Sequence, residues 1–392
     1  MTPAVALPRA EVPRRIRVLH LITGTGIGGA EMMLFKLLSQ MDRDSFTNVV
    51  YSMLEPGPMA EAIQNLGIEV RTLGLKQGHL DPLALFRFAR EVRAWRPYIL
   101  QTWMYHADLL GGLVGRLLTG VPVVWNIRHG DLQTTDNTPM TLLVARLCSA
   151  LSGWVPDRIV CCAQHSKAIH VDLGYTASKI VVIPNGFDTD SYHHGPDAIR
   201  LCAERFGIPE TSKLISLVAR YHPQKDHQTF FAAAQIFAQH FPDTVFALCG
   251  DGIESSNDEL IAMIHKAGLR DQVLLLGRRP PLDIALLMSR STVVTNSSSA
   301  EAFPNVVGEA MSCGAICVVT DVGDSADIVG DTGIVVPPRE PAALAAGWAK
   351  VFGMDPSSRQ LLKDAARLRI QTNFTIADIA ATYQNLYRAV LS

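Results

Sequence analysis

The chain has 392 residues. A single domain holds roughly 100–200, so two domains are expected. Apolar residues make up 48 % and charged residues 18 %, which excludes a disordered chain and leaves ample material for large cores. Thirty-five basic and 37 acidic residues give a formal net charge of −2, so no global basic footprint points to a nucleic-acid partner.

Residues 1–15 read as a disordered leader, with no apolar core of signal-peptide length. Short apolar runs then recur, each a strand candidate: Arg17–Ile22, Asn48–Met53, Glu69–Leu73, Ile99–Trp103, Val121–Asn126, Arg158–Ala163 and Lys179–Ile183. Helical patterns lie between several of them, starting with Ala30–Gln40. Such alternation predicts a parallel sheet covered by helices. The polar, turn-rich stretch at residues 187–197 reads as a linker. The alternation resumes with Leu214–Ala219, Thr244–Gly250, Val273–Leu276, Thr292–Asn296, Ile316–Thr320 and Gly333–Val336. Two Rossmann-like α/β domains are therefore predicted, at 16–186 and 198–370, followed by a C-terminal helical segment at 371–392. No run reaches the roughly 18 apolar residues of a membrane span; the nearest, Leu109–Trp125, holds Arg116 and several glycines. Cys148, Cys161, Cys162, Cys202, Cys249, Cys313 and Cys317 are scattered in apolar runs, as buried thiols of a reducing, cytoplasmic compartment would be.

Ligands of open α/β sheets bind beyond the carboxyl ends of strands, so the strand-to-helix loops are the places to look. The first, Thr23–Glu31, places Gly24, Gly26 and Gly29 in a G-x-G-x-x-G spelling, with Glu55 after the next strand. Three readings stay open: a dinucleotide fingerprint, a tight turn serving helix packing, and a polyol or phosphate site made by the Gly28 and Gly29 amides. The string SSSAEAFPNVVGEAMSCGAICVVTD carries more information. Pro304 suits the first turn of a helix running to Ser312 and ended by Gly314. The amides of Asn305, Val306 and Val307 would then face an anion such as a diphosphate. Glu309, one turn in, can accept two neighbouring hydroxyls of a ribose, and Glu301 precedes the helix. In VARYHPQKD, Arg220 and Lys225 offer a planar fork and a point charge to the same diphosphate.

The pieces VARYHPQKD, LCGDG, LGRR, EAFPNVVGEAMSCG and PNGFD resemble glycosyltransferase family 4, the group 1 glycosyl transferases, as does the N-terminal GTGIGGAE. The resemblance runs from Val18 to the final helix. It implies a GT-B architecture: two facing Rossmann-like domains, an inter-domain cleft, and a C-terminal helix returning to the first domain. It also implies a retaining, nucleotide-sugar-dependent transferase, with UDP- or GDP-sugar as donor. Glu301 and Glu309 match the paired glutamates of the family's E-x7-E motif, so Glu309 would hold the donor ribose and Glu301 the transferred sugar. Arg220 and Lys225 match its diphosphate-binding cations, and amides at Asn305, Val306 and Val307, next to Phe303, would hold phosphates. Gly28 and Gly29 match its glycine loop. His129, in NIRHGD, resembles the histidine facing the donor sugar, with a purely structural histidine as the alternative. Gly250–Gly252 and Arg278 would lie near the base. Ala302 departs from the family's usual glycine.

The loop cations already supply the charge that a metal would, so neither metal nor cofactor is expected beyond the sugar nucleotide. Asp188-Thr189-Asp190, beside His193 and His194, spells D-x-D but falls in the linker. Leu83–Trp95 spaces Arg87, Arg90 and Arg93 along a basic amphipathic helix, either a solvated face or a docking face for anionic membrane. Residues 1–190 carry 18 basic and 16 acidic groups, a balance of +2, and the rest carry 17 and 21, a balance of −4. The expected activity is sugar transfer to a hydroxyl of a glycan or lipid-linked acceptor in cell-surface polysaccharide, exopolysaccharide or lipopolysaccharide assembly, in the cytoplasm or at the inner face of the membrane. An NAD- or FAD-dependent oxidoreductase, a sugar-nucleotide epimerase or hydrolase, and a non-catalytic binding subunit are the alternatives.

Overall fold

The computed structural model describes residues 14–76, 82–130, 132, 138–190 and 197–392. Most of the expected leader, and residues 191–196 of the expected linker with His193 and His194, lie outside the described residues. The chain divides into two compact units, Met1–Gly186 with Ile376–Ser392, and Phe187–Thr375.

In the first unit the order is β1 (Ile16–Ile22), α1 (Gly29–Gln40), β2 (Phe46–Leu54), α2 (Pro58–Asn65), β3 (Glu69–Leu75), α3 (Pro82–Trp95), β4 (Ile99–Trp103) and α4 (Tyr105–Leu113). A π-helical turn, Val114–Thr119, continues α4. Then come β5 (Val123–Ile127), α5 (Pro139–Leu151), β6 (Arg158–Cys161), α6 (Gln164–Asp172) and β7 (Ile180–Val182). The seven strands form one parallel sheet in the order β3-β2-β1-β4-β5-β6-β7. Side chains alternate across it. Val18 and Ile22 of β1 pack with Met33, Leu34 and Leu37 of α1, whereas Leu19 and Leu21 pack with Phe88 and Val92 of α3. In the second unit follow α7 (Ala198–Phe206), β8 (Lys213–Val218), α8 (His227–Ala238), β9 (Thr244–Cys249), α9 (Asp258–Ala267), β10 (Val273–Leu275), α10 (Pro281–Arg290) and β11 (Val293–Asn296). They are followed by α11 (Asn305–Ser312), β12 (Cys317–Thr320), α12 (Ser325–Val329), β13 (Ile334–Val336), α13 (Pro341–Phe352) and α14 (Pro356–Asn373). Six strands form a second parallel sheet, β10-β9-β8-β11-β12-β13, with Phe230, Phe237 and Trp348 at the centre of its largest core.

The last helix, α15 (Ile376–Leu391), belongs to the first unit and lies beside α1. Tyr383 stacks on Trp103 at 6.4 Å and accepts a bond from Asn126 Nδ2 at 3.0 Å, which fixes the helix on the sheet. All seven cysteines are buried thiols. Among the described residues, no helix is long and apolar enough to cross a membrane.

The glycines of α4 and of the π-helical turn after it explain why the Leu109–Trp125 stretch lies against the sheet. A Cβ on Gly115 would sit 2.3 Å from Val123 Cγ2, and one on Gly112 would sit 2.7 Å from Val155 Cγ1. Alanine improves helix propensity by about 1 kcal/mol, but overpacking costs about 1–3 kcal/mol. At a 2.3 Å approach the cost falls toward the upper end of that range, so Gly115→Ala is expected to lower stability by up to about 2 kcal/mol net, which a denaturant midpoint would register. An unchanged or raised midpoint would contradict the close approach.

Two fully buried histidines of the first unit make it acid-sensitive. Trp103 Nε1 donates to His20 Nδ1 at 3.3 Å, so Nε2 carries the proton and donates to Asn48 Oδ1 at 3.1 Å. His170 Nδ1 donates to the Ser166 carbonyl at 2.6 Å and Nε2 accepts from the Tyr105 hydroxyl at 2.5 Å. Burial lowers both from the ordinary 6.5 to about 4. The unfolded chain takes up protons below 6.5 that the native state refuses until about 4. The stability they contribute is thus present above 6.5 and lost as pH falls toward 4. Each histidine is expected to remove about 2 kcal/mol between pH 7 and pH 5. A melting temperature that stays flat over that interval would contradict it.

Candidate functional site

The parallel pairing of β11 with β8 in the second unit puts the loops after these strands side by side. They are stitched together. The Ser299 amide donates to the Gln224 carbonyl at 2.7 Å, and Ser297 Oγ donates to the Lys225 carbonyl at 2.8 Å. Asp226 holds a left-handed backbone, φ 48°, and caps α8 by accepting the Thr229 amide at 3.1 Å. That turn positions the preceding Lys225, whose ammonium donates to Glu301 Oε1. The pair is mostly buried, with 22 % and 14 % of the side chains exposed. Ser298 Oγ also lies 2.8 Å from Glu301 Oε1, and Asn296 Nδ2 is buried with no partner. Arg220 stands exposed on the same loop as Lys225.

Ala302, Phe303 and Pro304 lead into α11. Ala302 has no positive φ, so the residue found where the family usually has glycine needs no special backbone. Pro304 caps the helix instead of occupying its first turn, and α11 starts at Asn305. This changes the expected row of amides. The Val307 amide bonds the Pro304 carbonyl at 3.1 Å, so the turn itself uses one of the three. Asn305 and Val306 begin the helix, with half-buried Glu309 one turn further in. Phe303 is 7 % exposed and stacks on Phe187 at 6.1 Å, so its ring serves packing.

Gly250 follows β9, where a Cβ would lie 2.1 Å from the Ala219 carbonyl oxygen. Its amide donates to the Gly277 carbonyl at 2.9 Å, and Tyr221 N donates to the Asp251 carbonyl at 2.7 Å. Gly250 thus lets the loops after β8, β9 and β10 close on one another. Arg278, at the end of that set, pairs loosely with Asp251 at 3.6 Å, both exposed. A cavity of about 380 Å³ is lined by Pro223, Asp226, Thr229, Ser299 and Arg339, among others, next to these residues but by none of the predicted ones.

In the first unit, Gly28 caps α1 with an extended backbone and Gly29 begins it. A Cβ on Gly28 would lie 2.5 Å from Glu31 Oε2. The Glu31 carboxyl therefore folds back over the first turn. Burial raises its pKa, while a bond to its own backbone amide lowers it. A carboxylate there repels phosphate and accepts hydroxyls, which favours a polyol at this turn. The loop is held by Gly57 N donating to Thr25 Oγ1 at 2.8 Å and Met59 N donating to the Thr25 carbonyl at 3.0 Å.

His129 follows β5 and stacks on Tyr105 at 4.7 Å. Its Nδ1 is buried with no partner. Burial, with nearby His106 adding to it, lowers His129 to about 4, so the ring is neutral at pH 7. Adjacent Arg128 bonds Asn185 Oδ1 at 2.7 Å and lies 5.1 Å over the Trp103 ring, while its Nε and Nη2 are buried without partners. Sequence reasoning missed Arg128, His106, Glu31 and Ser298. The first two lie just past β5 and β4, where the carboxyl-end rule could have found them. Within the D-x-D of the expected linker, Asp188 Oδ1 accepts the Asp190 amide at 3.1 Å. Among the described residues, no three His, Cys, Asp or Glu side chains are grouped to hold a metal.

Comparison with known proteins bears on these features. Residues 27–191 match the family model described as Glycosyltransferase Family 4, and residues 202–369 match Glycosyl transferases group 1. A UDP-Gal:alpha-D-GlcNAc-diphosphoundecaprenol alpha-1,3-galactosyltransferase of Escherichia coli is 30 % identical over 227 residues, covering 57 % of this chain and 58 % of the relative. A D-inositol 3-phosphate glycosyltransferase of Corynebacterium aurimucosum is 27 % identical over 270 residues, covering 66 % and 63 %. The matches thus span about three fifths of these relatives' own length. HepE of Anabaena, solved in complex with UDP, superposes with a TM-score of 0.84 at 22 % identity, covering 95 % of this chain and 100 % of that one. This likeness shows the fold, an α/β architecture of the GT-B type. With one glycosyltransferase model over its N-terminal part and another over its C-terminal part, the chain belongs to the group 1, family 4 type of glycosyltransferases.

Proposed function

We propose that the protein moves a sugar, with retention at the anomeric carbon, from a UDP- or GDP-sugar to a hydroxyl of a glycan or lipid-linked acceptor in cell-surface polysaccharide, exopolysaccharide or lipopolysaccharide assembly. The observation that carries the reading is the Lys225–Glu301 pair at the carboxyl ends of β8 and β11. Lys225 is held where it can exchange Glu301 for a diphosphate, which frees Glu301 to accept a sugar hydroxyl. Arg220 and the α11 amides at Asn305 and Val306 add positive potential for the departing diphosphate. Glu309 accepts the ribose hydroxyls, and neutral His129 faces the sugar. In the step itself the anomeric carbon–phosphate oxygen bond breaks and the bond to the acceptor oxygen forms on the same face. The acceptor's proton passes to the leaving diphosphate. No metal or further cofactor takes part. HepE has been solved with UDP-glucose, and the E. coli relative is named for a diphosphoundecaprenol-linked acceptor. Both support this donor class, and the second supports a lipid-linked acceptor, which fits an enzyme working in the cytoplasm, at the inner face of the membrane.

A thermal-shift panel of UDP, GDP and ADP sugars should single out one base, and transfer should survive EDTA. Glu309→Ala is expected to weaken donor binding about tenfold to a hundredfold per charged hydrogen bond lost. Wild-type transfer by that variant would overturn the assignment. Glu301→Gln separates the two steps. Calorimetry with the free nucleoside diphosphate should find affinity kept or tightened, because Lys225 loses its competing carboxylate, while transfer falls steeply. A parallel loss of both would place Glu301 on the diphosphate side.

A further inference from the structure

The helices α3, α4 and α5 of the first unit form one connected layer. α4 packs against α5, and the π-helical turn that continues α4 packs against α3. Arg93 of α3 donates to the Leu118 carbonyl, and Arg116 lies 5.7 Å over the Trp154 ring just past α5. Helices covering a sheet ordinarily turn polar residues outward. Here α5 presents Met140, Leu143 and Leu147, at 48 %, 51 % and 44 % exposure, spaced as a single helical stripe. Leu117 at 57 % and Trp154 at 49 % continue it. On α3, Leu83 and Phe86 are each 66 % exposed. Among the described residues, the first unit has one other large apolar side chain so exposed, Ile27, whereas those of the second unit are scattered over α7, α8, α10, β13 and α14. Concentration on one layer marks a surface built to be covered.

Charge decides what covers it. These helices carry Arg87, Arg90, Arg93, Arg116 and Arg146, all exposed, against Glu91 and Asp108. Asp108 is fully buried, and Glu91 is bonded by Arg71 at 3.1 Å. The layer's exposed charge is therefore positive. A second copy docking through the same face would set arginines against arginines. An anionic bilayer would meet leucines with acyl chains and arginines with headgroups, with a tryptophan at the boundary. We infer that the outer face of α3, the π-helical turn and α5 binds the surface of an anionic lipid bilayer. This deepens the proposed membrane location, rests on that reading only for its purpose, and is measured apart from transfer.

Flotation of the full chain with phosphatidylcholine vesicles, and with phosphatidylcholine–phosphatidylglycerol vesicles, tests it. The wild type should float with the mixed vesicles and be released by salt. Arg116→Gln/Arg146→Gln should weaken partitioning about fivefold per arginine, on the anionic vesicles only. Leu143→Ser/Leu147→Ser should weaken it at least tenfold, with donor binding and melting temperature unchanged. Vesicle binding that is absent in the wild type, or intact in the combined four-residue variant, would overturn the proposal. So would a dimer that Leu143→Ser/Leu147→Ser dissociates without any vesicle binding in the parent. Loss of donor binding in the wild type would instead count against the transferase reading and leave flotation interpretable.

Discussion

Parallel pairing of β8 with β11 governs the chemistry of the second unit. Lys225 and Glu301 are 76 positions apart in sequence, yet each follows one of two neighbouring strands. Parallel strands end on the same edge, so their following loops must meet there. The bonds from Ser297 and Ser299 to the backbone of residues 224 and 225 convert this proximity into fixed geometry. Lys225 then needs only the left-handed turn at Asp226 to lie against Glu301. The carboxylate and ammonium hold each other, as a partly buried pair of charges must unless each finds another partner.

The two glycine-dependent approaches serve different ends. In α4 and the π-helical turn after it, glycines let the backbone reach the sheet, while Leu117 stands exposed on the outside. The stretch that comes nearest to a membrane span in composition is thus a pressed-down helix with an apolar outer edge. At Gly250, the same absence of a side chain closes three loops at the carboxyl end of a sheet. One glycine set shapes a surface, the other a site edge.

Buried polar groups in the first unit follow a different rule. His20 and His170 are satisfied on both nitrogens and stay neutral; His20 links β1 to β2 and β4, and His170 links α6 to α4. His129 and Arg128, past the end of β5, keep buried nitrogens without partners. Such orphans carry a desolvation cost, and these two residues stand at the strand end where ligands of this fold class bind.

Much of the architecture was legible from local pattern alone. Each of the thirteen strands among the described residues falls on an apolar run between turn signals, and α11 on the Pro304–Gly314 segment, because periodicity and turn chemistry act over a few residues. The motif strings likewise sufficed to indicate the family. Side-chain destinations were not legible. Phe303 was grouped with the donor site but stacks on Phe187; Pro304 caps α11 and its carbonyl takes the Val307 amide; Glu31 folds over the glycine turn expected to receive phosphate. The length that called for two domains and the charge near zero were sequence facts from the start. That charge conceals an arginine-bearing apolar layer and a Lys225–Glu301 pair. Both arise only when strands and helices far apart in the chain become neighbours, and that contact is decided by tertiary packing.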